Sequence, residues 1–424
     1  MEVAIDYGKT GLTVNVPGKN VVKVLSMTGV KPLPEIYIEI TKSLLRPIGM
    51  KQSLFDMAKQ RKNACILICD ITRPVPNQLI LPPILKTLHA AGMDYDDILI
   101  LVATGIHRPN EGEELVELVG KDIAEKYHIE NHFAGNLDDH RNLGKTSRGT
   151  DIWIDKRYLD AELKITTGFI EPHLMAGFSG GRKLIVPGIA SIETMKVMHG
   201  PQLLSHPNSR EGIIEGNPFH EEALEIARTA GVDFIMNVTL DEKKRISGIF
   251  AGDLEAAHSE GIHFVKQYVR DTIPEPVDIV ITTSAGYPLD ATYYQAIKGM
   301  TAAMPIVKDG GTIIIAAECS EGIGSEHFTR LVRENPDPDL FLQKLFSDDF
   351  FVIDQWQLQE YAKVAQKAEI ILVSGGLSQE DKNSIHVQWK NTVREALDAA
   401  FEKHGSNARI AIIPKGPYIL SEIE

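Results

Sequence analysis

Short apolar runs alternate with amphipathic stretches along most of the chain. The runs "ACILICD" (64–70), "DILILVATG" (97–105) and "LKITTGF" (163–169) are rich in β-branched and aliphatic residues. Helical patterns such as "NQLILPPILKTLHAAG" and "NEGEELVELVG" follow the first two runs. Regular alternation of this kind is typical of βαβ units. The pattern therefore predicts an α/β protein with mainly parallel sheets.

The same alternation restarts in the second half of the chain. Four apolar runs, "VDIVITT", "GTIIIAAE", "AEIILVSG" and "ARIAIIP", predict four strands with helices between them. A predicted helix over 254–273 precedes "PEP" at 274–276, where two prolines end it. Between the halves, "MNVTLDEKKRISGIF" (236–250) predicts an antiparallel hairpin.

Length supports a division at this proline pair. A chain of 424 residues exceeds what one hydrophobic core usually fills. We predict two α/β domains, residues 1–268 and residues 277–414, with an active-site cleft between them. Residues 415–424 are too few for a unit of their own, and we expect them to return to the first domain.

Composition narrows the classes of partner. The formal net charge of −14 argues against nucleic acid and against an anionic membrane, because both repel an acidic protein. Three cysteines cannot form a disulfide framework, and two of them, Cys65 and Cys69, lie inside an apolar run as expected of buried thiols. Neither a signal peptide nor a membrane-spanning apolar window is visible, so we expect a cytoplasmic protein.

Polar residues follow three of the predicted strands directly. Asp70 and Arg73 follow the first strand in "DITRPVP", His107 follows the second in "ATGIHRP", and His173 follows the third in "IEPH". Ligands of open α/β sheets lie beyond the carboxyl ends of the strands. Arg73 is preorganised by two prolines to bind a carboxylate or phosphate, or it pairs with Asp70 at the surface. His107 taken alone is more simply explained by a hydrogen bond to a loop carbonyl than by catalysis.

A glycine-rich loop, "EPHLMAGFSGGRKLIVPG", contains Lys183. It resembles a phosphate cradle, but Arg182 occupies a position where the Walker pattern requires glycine, and Leu184 follows the lysine. An ordinary nucleoside triphosphatase is therefore not indicated. A lysine beside another cation is a better nucleophile and a candidate for covalent attachment, whereas the ordinary alternative is a solvated lysine.

Metal signals in the sequence are weak. The spacing in "HIENH" would place His128 and His132 on one helix face, although a solvated pair is the simpler interpretation. His199 ends the helix "SIETMKVMHG", where histidine commonly interacts with the helix dipole.

The second half offers one candidate binding face. In "YYQAIKG", Gln295 and Lys298 share a helix face and Tyr294 lies beside them, so this face could bind a small carboxylate. Packing of the tyrosines with a solvated Lys298 is an equally good interpretation. Trp356 could stack on a flat ring, or it could anchor an interface.

Taken together, these residues resemble the nickel-dependent lactate racemase family of 2-hydroxy-acid racemases and epimerases. The similarity covers nearly the whole chain. Its motifs are "DITRPVP", "GIHRP", "EPHLMAGFSGGRK", "MHG" and "YYQAIKG".

The resemblance implies a role for each candidate residue. His107 and His173 would be the catalytic acid–base pair, and His199 would be the protein ligand of nickel. Lys183 would be joined covalently to the nickel pincer cofactor, a pyridinium-3,5-bisthiocarboxylic acid mononucleotide. The remaining residues would hold the cofactor (Asp70, Trp356) or surround the substrate anion (Arg73, Tyr294, Gln295, Lys298).

The implied activity is racemisation of a small 2-hydroxy acid, with D- and L-lactate as the first candidates. Two histidines suit this reaction, because the hydroxyl proton must be removed on one face and returned on the other. The alternatives are a racemase or epimerase of the same family for malate, another 2-hydroxy acid or a sugar acid, and a nucleotide- or nickel-binding protein without turnover. The resemblance also implies other proteins that make and load the cofactor.

Overall fold

The computed structural model describes residues 1–347 and 350–424. The strands are β1 Glu2–Ile5, β2 Leu12–Asn15, β3 Val21–Val24, β4 Ala64–Cys69, β5 Ile98–Ala103, β6 His128–Asn131, β7 His140–Lys145, β8 Asp151–Asp155, β9 Leu163–Phe169, β10 Pro172–His173, β11 Gly177–Phe178, β12 Phe234–Leu240, β13 Ile246–Gly252, β14 Arg270–Ile273, β15 Val277–Thr283, β16 Val307–Ala316, β17 Glu369–Val373, β18 Gln388–Lys390, β19 Ile410–Ile413 and β20 Leu420–Ile423. The α-helices are α1 Ile36–Leu45, α2 Leu54–Ala58, α3 Asn77–Ala90, α4 Gly112–Val119, α5 Lys121–Lys126, α6 Lys156–Asp160, α7 Ile192–Met198, α8 Pro201–Leu204, α9 Pro218–Ala230, α10 Ala256–Val269, α11 Tyr293–Ala303, α12 Glu326–Glu334, α13 Pro338–Leu345, α14 Gln355–Lys367, α15 Gln379–Ser384 and α16 Val393–His404.

Two compact units divide the chain. We call residues 29–171 and 175–267 the central unit, and residues 1–28, 172–174 and 268–424 the terminal unit, because the latter contains both ends of the chain.

The central unit contains a six-stranded sheet in the order β13-β12-β9-β4-β5-β6. The strands from β12 to β6 are parallel, and β13 is antiparallel to β12, so the predicted hairpin is confirmed. All six residues of β4 are buried, as its unbroken apolar run predicts for a strand covered on both faces. Because β4 and β5 are parallel neighbours, the polar residues that follow them emerge at one edge of the sheet.

The terminal unit contains a second six-stranded sheet, in the order β18-β17-β16-β15-β19-β3, and all its pairs are parallel. Successive residues of β15 enter opposite cores, since Val280 packs in one apolar cluster and Ile279 and Ile281 pack in the other. The α/β class with mainly parallel sheets is therefore confirmed.

The predicted domain boundaries need two corrections. Residues 1–28 belong to the terminal unit, because β3 completes its sheet beside β19. Residues 415–424 also belong to that unit: β20 pairs with β14, which occupies the segment predicted as the end of the helix over 254–273. That helix instead ends at Val269. These pairings join segments far apart in sequence, which local patterns cannot reveal.

All three cysteines are buried free thiols, as expected for Cys65 and Cys69. Burial raises the pKa of the Cys69 thiol to about 12, so it stays protonated at neutral pH. Within the described part of the chain, no helix combines the length and the apolarity that crossing a bilayer requires.

Candidate active site

Asp70 and His107 meet at the carboxyl ends of β4 and β5. His107 Nδ1 lies 2.6 Å from Asp70 Oδ2. The second carboxylate oxygen accepts two hydrogen bonds from Thr72, from its hydroxyl at 2.6 Å and from its backbone N–H at 3.1 Å. A carboxylate on Nδ1 fixes the ring orientation and leaves Nε2 as the nitrogen for proton exchange with a ligand.

The Asp70 carboxylate keeps its charge despite being buried. Burial alone would raise the pKa of Asp70, but the hydrogen bonds and charges of His107, Thr72 and Arg73 outweigh it, and the pKa is lowered. The His107 side chain is half exposed, at 53%. The pair therefore combines a fixed negative charge with an accessible imidazole, which suits general acid–base chemistry.

Arg73 pairs with Glu171 rather than with Asp70. Its Nη1 lies 3.3 Å from Glu171 Oε1, and about a third of its side chain is exposed. This separation exceeds that of a good charge-assisted hydrogen bond. The guanidinium is thus held loosely, at the same sheet edge as Asp70, where a stronger anionic partner could replace Glu171.

Asn110 links the loops that carry these residues, and the sequence analysis missed it. Its Oδ1 accepts the N–H of Ile71 at 3.2 Å, its Nδ2 donates to Glu114 at 2.8 Å, and its own N–H donates to Asn131 at 2.9 Å. The side chain is almost fully buried. The signal was its position three residues after His107, in a loop already identified as functional.

A second cluster surrounds the ring of Phe219 on α9. Lys183 Nζ lies 5.4 Å from the centre of this ring, and the His199 ring meets the ring edge to face at 5.5 Å. Lys183 comes from the glycine-rich loop, and His199 directly follows α7. The two residues to which the family resemblance assigned covalent attachment and nickel binding therefore lie in one neighbourhood.

His199 has the electronic state of a metal donor. Burial, together with the positive charge of Lys183, lowers the pKa of His199 to about 3, so the ring is neutral at physiological pH. Nδ1 lies 3.3 Å from the carbonyl oxygen of Met195, which can only accept, so Nδ1 carries the proton. The lone pair is then on Nε2, and a backbone carbonyl behind the other nitrogen is the usual support for a metal-binding histidine.

No group of three or more His, Cys, Asp or Glu side chains suited to a metal ion occurs among residues 1–347 and 350–424. The neutral imidazole beside a lysine fits a cofactor that brings its own donor atoms.

The weaker metal candidate has a different explanation. His128 and His132 lie at a strand, not a helix, and only His128 is exposed, where it pairs with Glu130. His132 is buried, with Nδ1 at 3.1 Å from Asp155 and Nε2 at 3.1 Å from the carbonyl of Ala190. The interpretation as a solvated pair is wrong for His132, which is a structural residue of the core.

The terminal unit holds a third cluster on α11. Trp356 Nε1 donates to the hydroxyl of Tyr294 at 3.2 Å, and Gln357 donates to the backbone carbonyl of Tyr294 at 2.8 Å. Thr292 caps the helix by accepting the N–H of Gln295. The predicted candidates Tyr294 and Trp356 are thus in direct contact.

Gln295 and Lys298 lie on the same helix, within its first two turns. Gln295 Oε1 is a buried oxygen with no hydrogen-bond partner among the residues described. A buried amide oxygen without a partner costs free energy, so a ligand hydroxyl or ammonium donating there would be favourable.

His173 is 9% exposed and belongs to β10, a strand that lies next to the turn Gly416–Tyr418 within the terminal unit. His107 belongs to the central unit. Their arrangement around one substrate, and the cleft between domains, stay predictions.

Parallel sheets, a carboxylate-oriented histidine and a neutral histidine beside a lysine are together typical of an α/β enzyme with an acid–base group at its candidate site. Comparisons with known proteins sharpen this class. Residues 7–212 match the lactate racemase N-terminal domain, and residues 273–420 match the lactate racemase C-terminal domain.

Two curated relatives are lactate racemases. That of Lactiplantibacillus plantarum is 40% identical over 380 residues, 89% of each chain, and that of Thermoanaerobacterium thermosaccharolyticum is 36% identical over 99% of this chain and 98% of the relative. This chain belongs to the lactate racemase family, and it is an isomerase.

Solved structures agree. The lactate racemase apoprotein of T. thermosaccharolyticum matches with a TM-score of 0.93 and 35% identity, covering 99% of this chain and all of that one. A Thermotoga maritima protein, with a TM-score of 0.69 and 18% identity over 94% of this chain and all of that one, shares the fold.

Proposed function

We propose that this protein interconverts D- and L-lactate. The observation that carries the proposal is identity of 36–40% to two lactate racemases over most of the chain. The Asp70–His107 pair supplies the acid–base group that the reaction requires, and the neutral His199 beside Lys183 fits the family's nickel cofactor.

The cofactor we propose is nickel held by a pyridinium-3,5-bisthiocarboxylic acid mononucleotide. Lys183 would carry it covalently and His199 Nε2 would bind the nickel, while Asp70 and Trp356 stay predicted cofactor contacts. When bound, this group would supply an acceptor for the hydride of the substrate Cα. Cofactor-making proteins are the implied partners.

The side chains of this protein would then transfer the hydroxyl proton of the substrate and bind its carboxylate. His107, oriented by Asp70, removes the hydroxyl proton of one enantiomer, and His173 does so for the other. Arg73 and Lys298 bind the carboxylate, exchanging the loose contact of Arg73 with Glu171 for a stronger one. Tyr294 and Gln295 contact the rest of the substrate.

The test is production of the protein together with the cofactor-making proteins, then a chiral assay from pure D-lactate and from pure L-lactate. We expect both directions to run to the same equimolar mixture, with a nickel-containing mass increase on the peptide that carries Lys183. Single-enantiomer malate and other 2-hydroxy acids serve as competing substrates. Faster turnover of any of them than of lactate would overturn the assignment of lactate.

A further inference from the structure

Buried side chains hold the loop that precedes Lys183. The Arg182 side chain is fully buried, its Nη2 donates to the carbonyl of Ala176 at 2.6 Å, and its Nη1 faces the carbonyl of Gly180 at 3.4 Å. The guanidinium of Arg182 thus lies inside the loop, next to the carbonyls of Ala176 and Gly180. Lys183 is the next residue of the chain.

Arg182 has no carboxylate partner among the residues that the structure describes, and its Nε has no hydrogen-bond partner there. Burial lowers the pKa of Arg182 to about 9. A buried cation that is paired only with carbonyls and an imidazole is costly to the folded state. Stability therefore does not explain its presence.

His258 supports the same loop. Its Nε2 lies 2.9 Å from the carbonyl of Ser179 and 3.2 Å from Arg182 Nη1. Burial and the charge of Arg182 keep the pKa of His258 well below its usual value, so the ring is neutral and satisfies one of these two partners at a time.

Asn237 fixes the loop from the sheet. It lies on β12, is fully buried, and its Oδ1 accepts the N–H of Gly181 at 2.7 Å. Gly180 and Gly181 both have positive φ, +79° and +54°. A Cβ on Gly180 would lie 2.8 Å from Asn237 Oδ1, so the close approach requires glycine there.

We propose that Arg182 and Asn237 are positioning residues that hold the loop 176–183 in one conformation, so that the Lys183 amine is presented for covalent attachment of the cofactor. The inference rests on the proposed function, in which Lys183 carries the tether. Holding the amine in place removes the conformational search that attachment would otherwise require. Burying Arg182 costs folding free energy, and the role of this residue is to position Lys183 rather than to stabilise the fold.

The first test is Arg182→Met, which removes the donors and the buried charge but keeps an unbranched side chain of similar length. We expect little change in the urea midpoint, because relief of the buried charge offsets the hydrogen bond that the buried carbonyl of Ala176 loses. We also expect amide hydrogen exchange over residues 176–184 to rise about tenfold, on the order of one lost buried hydrogen bond. After production with the cofactor-making proteins, intact mass should show a several-fold smaller adduct fraction.

The second variant is Asn237→Leu, with Asn237→Asp retaining the acceptor for the Gly181 N–H. The leucine variant should loosen the same segment and reduce the adduct, and the aspartate variant should restore part of both. Thr239→Val, on the same strand β12 as Asn237, is the matched control: it removes the buried hydrogen bond between Thr239 and Ser247 on the neighbouring strand β13. It should change the urea midpoint but neither the exchange of 176–184 nor the adduct fraction.

Each result decides the proposal. Wild-type exchange over 176–184 in Arg182→Met and Asn237→Leu would overturn the positioning role. Raised exchange with a wild-type adduct fraction would show that loop order does not control attachment, and would overturn it as well. A wild-type protein without any adduct would contradict the proposed tether instead, and the exchange data would then decide alone whether the two residues hold the loop.

Discussion

His107 and His199 show that different surroundings suit the same side chain to different chemistry. His107 is half exposed and bonded to a charged carboxylate, so it can take up and release a proton at constant geometry. His199 is buried beside Lys183 with a carbonyl as its partner, and its pKa is about 3, so it stays neutral and offers a lone pair. The partner and the exposure together, not the residue type, suit one ring to acid–base chemistry and the other to metal binding.

The largest effect is expected from removing the buried imidazole ring of His199. His199→Ala should lose nickel to background and lose racemisation completely, while the adduct at Lys183 remains detectable by intact mass. Val197→Ala, at an exposed position of the same helix, is the control and should retain both. Nickel content by elemental analysis decides, and a nickel-replete alanine variant would disprove the assignment of His199.

Removal of the exposed ring should be severe but selective. His107→Ala should reduce kcat/KM for at least one enantiomer by about 10²–10⁴, the range for loss of a general acid–base group. Nickel and adduct should stay at wild-type levels. His128→Ala, an exposed histidine paired with Glu130, provides the control. Equal losses of nickel and activity in His107→Ala would contradict the division of labour.

Neutralising the Asp70 carboxylate should make His107 a less effective acid–base group while leaving its side chain in place. Asp70→Asn should lower kcat by about 10², since the amide neither stabilises the protonated ring nor selects its tautomer. An unchanged kcat would show that Asp70 acts only in packing.

The smallest effect on activity is expected at His132, which has a carboxylate partner but no exposure. Burial would raise the pKa of Asp155, yet His132 and Arg157 lower it to about 2. Compared with its ordinary value of 3.8, this shift is equivalent to about 2 kcal/mol of folding free energy. A lowered carboxylate pKa stabilises the fold above pH 4, and this contribution is lost as pH falls from about 4 to about 2.

Asp155→Asn should therefore unfold at lower urea concentration at pH 7, with the difference from wild type shrinking towards pH 2. Its kcat should change less than twofold under conditions where the protein is folded. Asp160→Asn, an exposed carboxylate paired with Arg141, should leave the urea midpoint nearly unchanged. A large loss of kcat in folded Asp155→Asn would show that exposure does not separate catalytic from structural histidines.

Sequence patterns predicted the features of the fold that depend on residues close together in the chain. Strands β4 and β5 are apolar throughout because both faces of the sheet are covered, and the residues that follow them meet because the strands are parallel. The approach of Lys183 and His199 was not readable from periodicity, because it depends on a glycine loop and on α9. Only the family resemblance had linked them.

Burial of charged residues was the main failure of sequence reasoning. Arg182 was assigned to a cationic pair with Lys183, and His132 to solvent, because single charged residues are mostly exposed. The structure buries both, and the reason lies in their partners: the carbonyl of Ala176 in the same loop for Arg182, and Asp155 with Ala190, remote in sequence, for His132. Likewise, β3 and β20 were misplaced because their partners are remote in sequence.

The position of β3 at the edge of the terminal sheet has a consequence for biosynthesis. This strand, at residues 21–24, pairs with β19 at residues 410–413, so a ribosome makes every residue of the central unit before it makes the partner of β3. Until then the early strand carries unpaired backbone groups that a foreign strand could bind. Translation thus delivers β3 and its neighbour β19 further apart in time than any other two adjacent strands of this sheet, and the sheet is completed only after β19 has been synthesised.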